Sequence, residues 1–228
     1  MWHVPDMDKA SNIARRRTLA LADGGAEYSA KRTEIIAIAA RIFKDKGFKA
    51  ARLADIASAA GLDRATMYYY VGSKEELFRE AVETVLDTNL AYAEALVADI
   101  TVRPVDKISR FAERLMQSYS ANYPYPYVYI QEQMHQVATG TTPWAQDIVQ
   151  KMRSLEAIVM QMLRNGVSSG ELRSDLPVRL VANAFFGMFN WTHRWYEPGY
   201  SLDADTIARG FMSIFLDGMA TALPNVVK

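Results

Sequence analysis

An all-α fold follows from three observations on this 228-residue chain. Apolar residues recur three and four apart in segment after segment, the spacing of one helix face. No stretch alternates apolar and polar residues as a half-buried strand would. The interruptions between periodic segments carry helix-stop and helix-start chemistry, so the chain reads as about nine helices with short connections.

The elements follow in order. Residues 1–27 mix charges, alanines and a Gly24-Gly25 pair with little periodicity, which predicts a flexible basic arm whose one cluster is Arg15-Arg16-Arg17. That cluster reads either as a solvated patch or as an arm laid in a minor groove. From about Tyr28 the spacing turns helical, with Ile35, Ala39 and Phe43 on one face, Ile36 and Ile42 beside them, and Lys46-Gly47 as the stop. A second helix is predicted from Arg52 to Ala60 and a third from Asp63 to Val71. Between them Ala57, Gly61 and Met67 supply a small contact residue, a turn glycine and an apolar residue, which is what two short helices packed closely require. Asp63 stands at the N-cap position of the third helix. Met67 and Val71 then face the core, leaving Arg64, Ala65, Tyr68 and Tyr69 outward.

Ser73-x-x-Glu76 is a capping box before Leu77, Phe78, Ala81 and Val82, so a fourth helix opens there and extends toward Ile100. Beyond Pro104 the periodicity stays helical, broken at Tyr123-Pro124-Tyr125-Pro126, at Gly140 to Pro143, between Gly166 and Gly170, and at Pro198-Gly199. Thr142 before Pro143 is an N-cap with proline at the first helical position. The predicted organisation is an arm over 1–27, a helix-turn-helix domain over 28–75, and a helical body over 76–228.

Net charge is zero, yet Lys9 to Arg52 holds eleven Lys/Arg against four Asp/Glu, whereas Thr84 onward holds twelve against fourteen. Positive charge is thus gathered at one end, as a nucleic-acid footprint requires. There is no cysteine, no apolar run long enough to span a bilayer, and no basic region followed by an apolar core at the N-terminus. These features predict a cytoplasmic protein without disulfides or a membrane span.

Ile35, Ala39, Phe43, Gly47-Phe48, Ile56-Ala57, Gly61-Leu62, Thr66-Met67-Tyr68, Tyr70-Val71 and Ser73-Lys74-Glu75-x-Leu77 together resemble the DNA-binding domain of the TetR family of bacterial transcriptional regulators. The sequence departs from that pattern where Ala50-Ala51-Arg52 replaces the usual Thr or Ser opening the second helix, and at Ala65. The resemblance implies that Tyr68 and Tyr70 meet phosphates or pack beside them and that Lys74 meets a phosphate, with Arg52 replacing the missing hydroxyl. Arg64, Ala65, Thr66 and Tyr69 are then the candidates for base contact, Arg64 suiting guanine and Thr66 a thymine methyl or an acceptor.

A single reading helix covers few base pairs, so a homodimer on a two-fold axis is predicted, reading a pseudo-palindromic double-stranded operator. Leu180, Ala184, Met188, Trp191 and Trp195, with Phe185, Phe186 and Phe189 between them, make one helix apolar nearly all round. Ile207, Phe211, Ile214, Phe215 and Gly218 make a stripe on the last. A four-helix interface between subunits would bury both; the other reading is an ordinary monomer core.

The intervening body, by the resemblance, encloses a small-molecule effector. Its candidate lining is Met116, Tyr119, Tyr123, Tyr127, Met134, Trp144 and Met160, residue types that line adaptable apolar pockets and serve equally well as core. Asn190 to Pro198 with Asp203-x-x-Thr206 is similar to the C-terminal region of TetR-type regulators of fatty-acid and sterol catabolism, several of which respond to acyl-CoA thioesters. Arg103, Arg110, Arg114, Arg153 and Arg194 are all open as partners of a CoA phosphate. No cofactor, catalytic set or metal site is predicted. Glu132-x-x-His135 has the spacing of half a di-metal site but lacks a second copy. The rival readings are an all-α enzyme and a ligand-independent DNA-binding protein.

Overall fold

In the computed structural model, residues 25–130 and 140–219 are described, and every regular element among them is helical. The Arg15–Arg17 cluster, Glu132, Met134 and His135 lie outside the described residues. The elements are α1 (Ala26–Lys46), α2 (Leu53–Ala59), α3 (Arg64–Tyr70), α4 (Lys74–Ala98), α5 (Pro104–Ala121), α6 (Tyr125–Val128), α7 (Pro143–Ser168), α8 (Val178–Asn190), a 3-10 turn (Trp191–Arg194) and α9 (Ala204–Met219). No helix among the described residues is long and apolar enough to cross a membrane.

The chain divides into two compact units between Val82 and Glu83. The first therefore extends beyond the predicted boundary at residue 75 into α4. The reason is packing: Leu77 and Phe78 are buried, and the Phe78 ring lies 4.9 Å from that of Phe48 and 6.4 Å from that of Phe43. Tyr28, Arg32, Ile35, Ala39 and Phe43 form the inward face of α1, which ends at Gly47 with φ of 77°.

Between α2 and α3 the chain closes in a Schellman turn. Leu62 N–H donates to Ala57 O at 2.9 Å and Gly61 N–H to Ser58 O at 3.2 Å. Gly61 has φ +66°, yet a Cβ added there would meet nothing within 4 Å. Backbone handedness, not crowding, selects glycine at this position.

Helix α2 opens without a hydroxyl cap, as the sequence leads one to expect. The Asp55 carboxylate supplies the contact from inside the first turn, accepting from Arg52 N–H at 2.9 Å and pairing with Lys46 Nζ at 2.9 Å. Those partners, Lys46 first, hold its carboxyl below the usual range.

In the second unit α5 packs against α7 and α9, and α7 packs against α8. Phe111, Met116, Val159, Met162, Phe185, Phe189 and Ala208 are among its most buried residues. Thr142 caps α7 by accepting from Ala145 N–H at 3.2 Å, with Pro143 in the first turn.

Candidate functional site

Asp63 starts α3 by accepting from Thr66 N–H at 2.8 Å, and its other oxygen accepts from the Thr66 hydroxyl at 3.0 Å. These bonds hold the Asp63 carboxyl below its ordinary range, the backbone N–H being the larger cause. The Thr66 proton is thereby engaged at the cap. What Thr66 offers outward is its methyl and a lone pair, a narrower role than the sequence suggests.

Arg64 and Ala65 are exposed at the leading end of α3. The Arg64 guanidinium lies 5.6 Å from the centroid of the Tyr68 ring one turn on, a cation–π contact that limits its rotamers while leaving its N–H groups to donate. Tyr68 is half-buried and faces a groove of about 480 Å³ lined also by Lys49, Arg52, Ser73 and Lys74. Three residues assigned to phosphate from sequence, Arg52, Tyr68 and Lys74, thus share one concavity.

Two of the tyrosines pack against α1. Tyr70 stacks on Tyr28 at 5.0 Å, the packing role the sequence left open beside phosphate contact. Tyr69 meets Tyr28 edge-on at 5.5 Å and Tyr70 at 5.1 Å. It is half-buried, so only part of the ring is available to a base.

Lys74 is turned onto the loop that precedes α2. Its ammonium donates to Phe48 O at 2.6 Å, Ala51 O at 2.8 Å and Lys49 O at 3.0 Å, and lies 4.9 Å from the Phe48 ring centroid. An ammonium has three donors, and all three close the loop between α1 and α2. Lys74 anchors the edge of the groove that Arg52 and Tyr68 also line.

Sequence reasoning missed Arg32. Buried on α1, its guanidinium donates to Tyr70 O at the end of α3, to Glu76 Oε1 at 3.1 Å, and to both oxygens of Glu80, with Nε at 3.1 and 3.0 Å. Burial alone would lower its pKa; Glu80 and Glu76 outweigh that and raise it. Glu76 also accepts from Gly72 N–H at 3.0 Å, while its own N–H donates to Ser73 Oγ at 3.1 Å. The predicted capping box is therefore present in its hydroxyl half, the carboxylate reaching one residue further back. The available signal was two glutamates four apart on α4, but their partner lies 44 and 48 residues away.

In the second unit the ligand candidates separate. Met116, Tyr119 and Tyr127 are buried core residues, with Tyr123 and Met160 packed against them. The Tyr119 hydroxyl donates to Asn190 Oδ1 at 2.8 Å and the Tyr127 hydroxyl donates to Thr192 Oγ1 at 3.0 Å, the Thr192 proton being given to Phe189 O. Burial pushes both phenols up, and pushes that of Tyr129 up to about 12. Trp144 is half-buried beside Glu83, whose carboxyl burial raises.

Helix α8 is two-sided. Val181, Ala182, Phe185 and Phe189 face the core, while Leu180 is 57% exposed, with Ala184 and Gly187 exposed on the same face; Trp191, opening the 3-10 turn that follows, is 60% exposed, and on α9 Ile214 is 68% exposed. Phe185, Phe189, Ile207 and Phe215 are thus core and not interface. Trp195 is likewise internal to the unit, its ring 5.4 Å from Tyr200 and 6.3 Å from Phe211.

Comparison with known proteins agrees with both units. Residues 35–81 match the pattern described as bacterial regulatory proteins of the tetR family, and residues 101–219 match the tetracyclin repressor-like C-terminal domain. The chain is 32% identical over 202 residues to the HTH-type transcriptional repressor KstR2 of Rhodococcus jostii, covering 88% of this chain and 96% of that protein. The structure of the ketosteroid transcriptional regulator KstR2 of Mycobacterium tuberculosis superposes with a TM-score of 0.77 at 26% identity, covering 84% of this chain and 95% of that one. A second solved regulator, PfmR from Thermus thermophilus, gives a TM-score of 0.70 at 28% identity over 80% of this chain and 97% of that one.

Proposed function

We propose, from the premise that this chain belongs to the TetR family of bacterial transcriptional regulators, that it is a homodimeric repressor released from a pseudo-palindromic operator by a largely apolar effector. The observation that carries the reading is the exposed leading end of α3, where Arg64 and Ala65 stand on a helix fixed at its start by Asp63 and at its end by Arg32. Such a helix, entering a major groove, has Arg64 for guanine, the Thr66 methyl for thymine, and Arg52 and Tyr68 beside a phosphate.

Two copies are needed for useful specificity, and the outward stripe of Leu180, Ala184, Trp191 and Ile214 supports an isologous helix-on-helix interface. A DNA regulator of this kind works in the bacterial cytoplasm. The aromatic and methionine-rich body supports an apolar effector. The similar regulator from Mycobacterium tuberculosis, a ketosteroid transcriptional regulator, adds ketosteroids as a direction, and acyl-CoA thioesters are the effector class we propose. Helix α4, which begins in the first unit and ends in the second, would carry the effector's influence to α3 through Glu76 and Glu80. A hundredfold loss of operator affinity needs only about 2.7 kcal/mol of coupling.

The test is fluorescence anisotropy on DNA fragments flanking the protein's own coding sequence, titrated with acyl-CoA thioesters and free acids. Binding that steepens with falling salt and is reversed by one of these compounds is expected. DNA binding indifferent to all of them would remove the effector assignment.

A further inference from the structure

Asn89, on α4, is 2% exposed. Its Nδ2 donates to Ser118 Oγ of α5 at 3.1 Å, while its Oδ1 has no hydrogen-bond partner among the described residues. An amide oxygen shut away from water without a donor is an unfavourable arrangement that native cores avoid. One rung along the same pair of helices, the Arg114 guanidinium of α5 lies 5.7 Å from the ring centroid of Tyr92 of α4. Arg114 is half-buried, its Nε is buried without an acceptor, and no carboxylate among the described residues pairs with it.

The five arginines that the sequence leaves open for an anionic group are now distinguishable. Arg103 is paired with Asp106 at 2.9 Å, while Arg110, Arg153 and Arg194 are exposed. Of the five, Arg114 is the one both partly withdrawn from water and without a counter-ion among the described residues.

The two rungs lie about one helical turn, roughly 5.4 Å, apart, because Asn89 and Tyr92 are separated by three residues and Arg114 and Ser118 by four. Around them the body is apolar, with Ala93, Phe111, Leu115 and Met116 buried. The amide can also turn over: the Ser118 hydroxyl donates as readily as it accepts, so a half-turn of Asn89 lets Oδ1 take the serine proton and frees the NH2 group. The neighbouring guanidinium favours that orientation when a negative group is present.

We infer that Asn89 and Arg114 form the polar anchor of the effector site, receiving an anionic oxygen group, a carboxylate or a CoA phosphate, on an otherwise apolar molecule. This rests on the ligand-released repressor reading. The competing account is that one buried water satisfies Asn89 and Arg114 serves only to cover Tyr92.

The experiment uses the full-length protein, its operator fragment and matched probes: hexadecanoate, hexadecanol and hexadecanoyl-CoA, with cholanate and cholanol as a rigid pair. Tryptophan fluorescence reports binding and anisotropy reports DNA release. The anionic member of each pair is expected to bind about tenfold more tightly than the alcohol, equivalent to about 1.4 kcal/mol. Arg114→Met and Asn89→Leu should each erase that preference while leaving operator affinity in the absence of probe unchanged. Where Asn89→Leu impairs folding, Arg114→Met decides alone, since methionine keeps the apolar contact with Tyr92. Tighter binding of the free acid than of the thioester identifies a carboxylate, and the reverse order a CoA phosphate. Alcohols that bind as well as acids, or a preference that survives Arg114→Met, overturn the anchor while leaving ligand release intact. If no probe alters fluorescence or DNA binding, the ligand-release reading fails and the anchor with it.

Discussion

The two units solve the burial of polar groups in different ways. In the first, long-range polar contacts are charged and tie helix ends together: Arg32 holds the close of α3 and the opening turns of α4, and Lys74 holds three carbonyls of one loop. In the second, most of the buried side-chain contacts among the described residues join neutral groups, Tyr119 with Asn190, Tyr127 with Thr192, Tyr196 with Ser120, and Asn89 with Ser118, with the buried Lys107 ammonium, which donates to Val97 O at 2.8 Å, as the charged exception. A guanidinium fork has one satisfying arrangement, and displacing any acceptor exposes a charge to a poor environment. A hydroxyl rotates, accepts as well as donates, and can exchange one oxygen for another. The first unit is built to keep its shape and the second to accept a rearranged interior.

The largest effect should come from the body's outer face. Ile214→Asp, at an exposed position, should leave the fold intact, yield monomers in sedimentation, and drop operator affinity by about a thousandfold toward the non-specific level. A dimer that persists would mean that Ile214 lies outside the subunit interface.

Alkali separates the units next. Phenols raised by burial stabilise the fold fully below their unfolded value near 10, and that contribution is lost as pH rises through the folded values, about 12 for Tyr129 and higher for Tyr119 and Tyr127. Tyrosinate absorbance from the body should therefore appear cooperatively with its unfolding above pH 10. Gradual titration of these three phenols in a folded body would contradict their burial.

Arg32→Met should destabilise the first unit by about 2 kcal/mol, below the value for fully buried pairs because both glutamates are partly solvated. Denaturant melts followed by separate probes of the two units should show the first unit unfolding earlier and the second unchanged. The smallest effect is Arg64→Ala, expected to cost roughly 1 to 3 kcal/mol of discrimination at a single operator base while leaving the salt dependence of binding nearly unaltered. Uniform loss over all sequences would reassign Arg64 to the phosphate backbone.

The same contrast governs what could be read from sequence. The turn between α2 and α3 was legible because close helix contact and a left-handed residue restrict side chains to Ala57 and Gly61, and the caps at Asp63, Ser73 and Thr142 were legible because each acts within three residues of itself. The Arg32 hub was not, since its partners are fixed only by the fold. Lys74 carried the right charge in the right place, but its direction is set by three carbonyls of the loop between α1 and α2. On α8 the residue types on both faces are apolar, so hydrophobicity could not tell Phe185, which meets Phe215 of its own chain at 5.7 Å, from Leu180, which faces out. Tyrosines and methionines in the body were ambiguous for the same reason, and the unpaired atoms of Asn89 and Arg114 became visible only once the helices were set side by side.

The Schellman turn at Gly61 has a stereochemical consequence. Because open space surrounds the position and only its φ of +66° forbids a side chain, the exclusion applies to one enantiomer. In a first unit assembled by chemical synthesis, D-alanine at 61 would adopt this backbone without strain and would restrict the unfolded chain more than glycine does, whereas L-alanine would oppose the turn. The geometry joining α2 to the DNA-reading helix is written as a chirality, and a mirror-image residue would reinforce it.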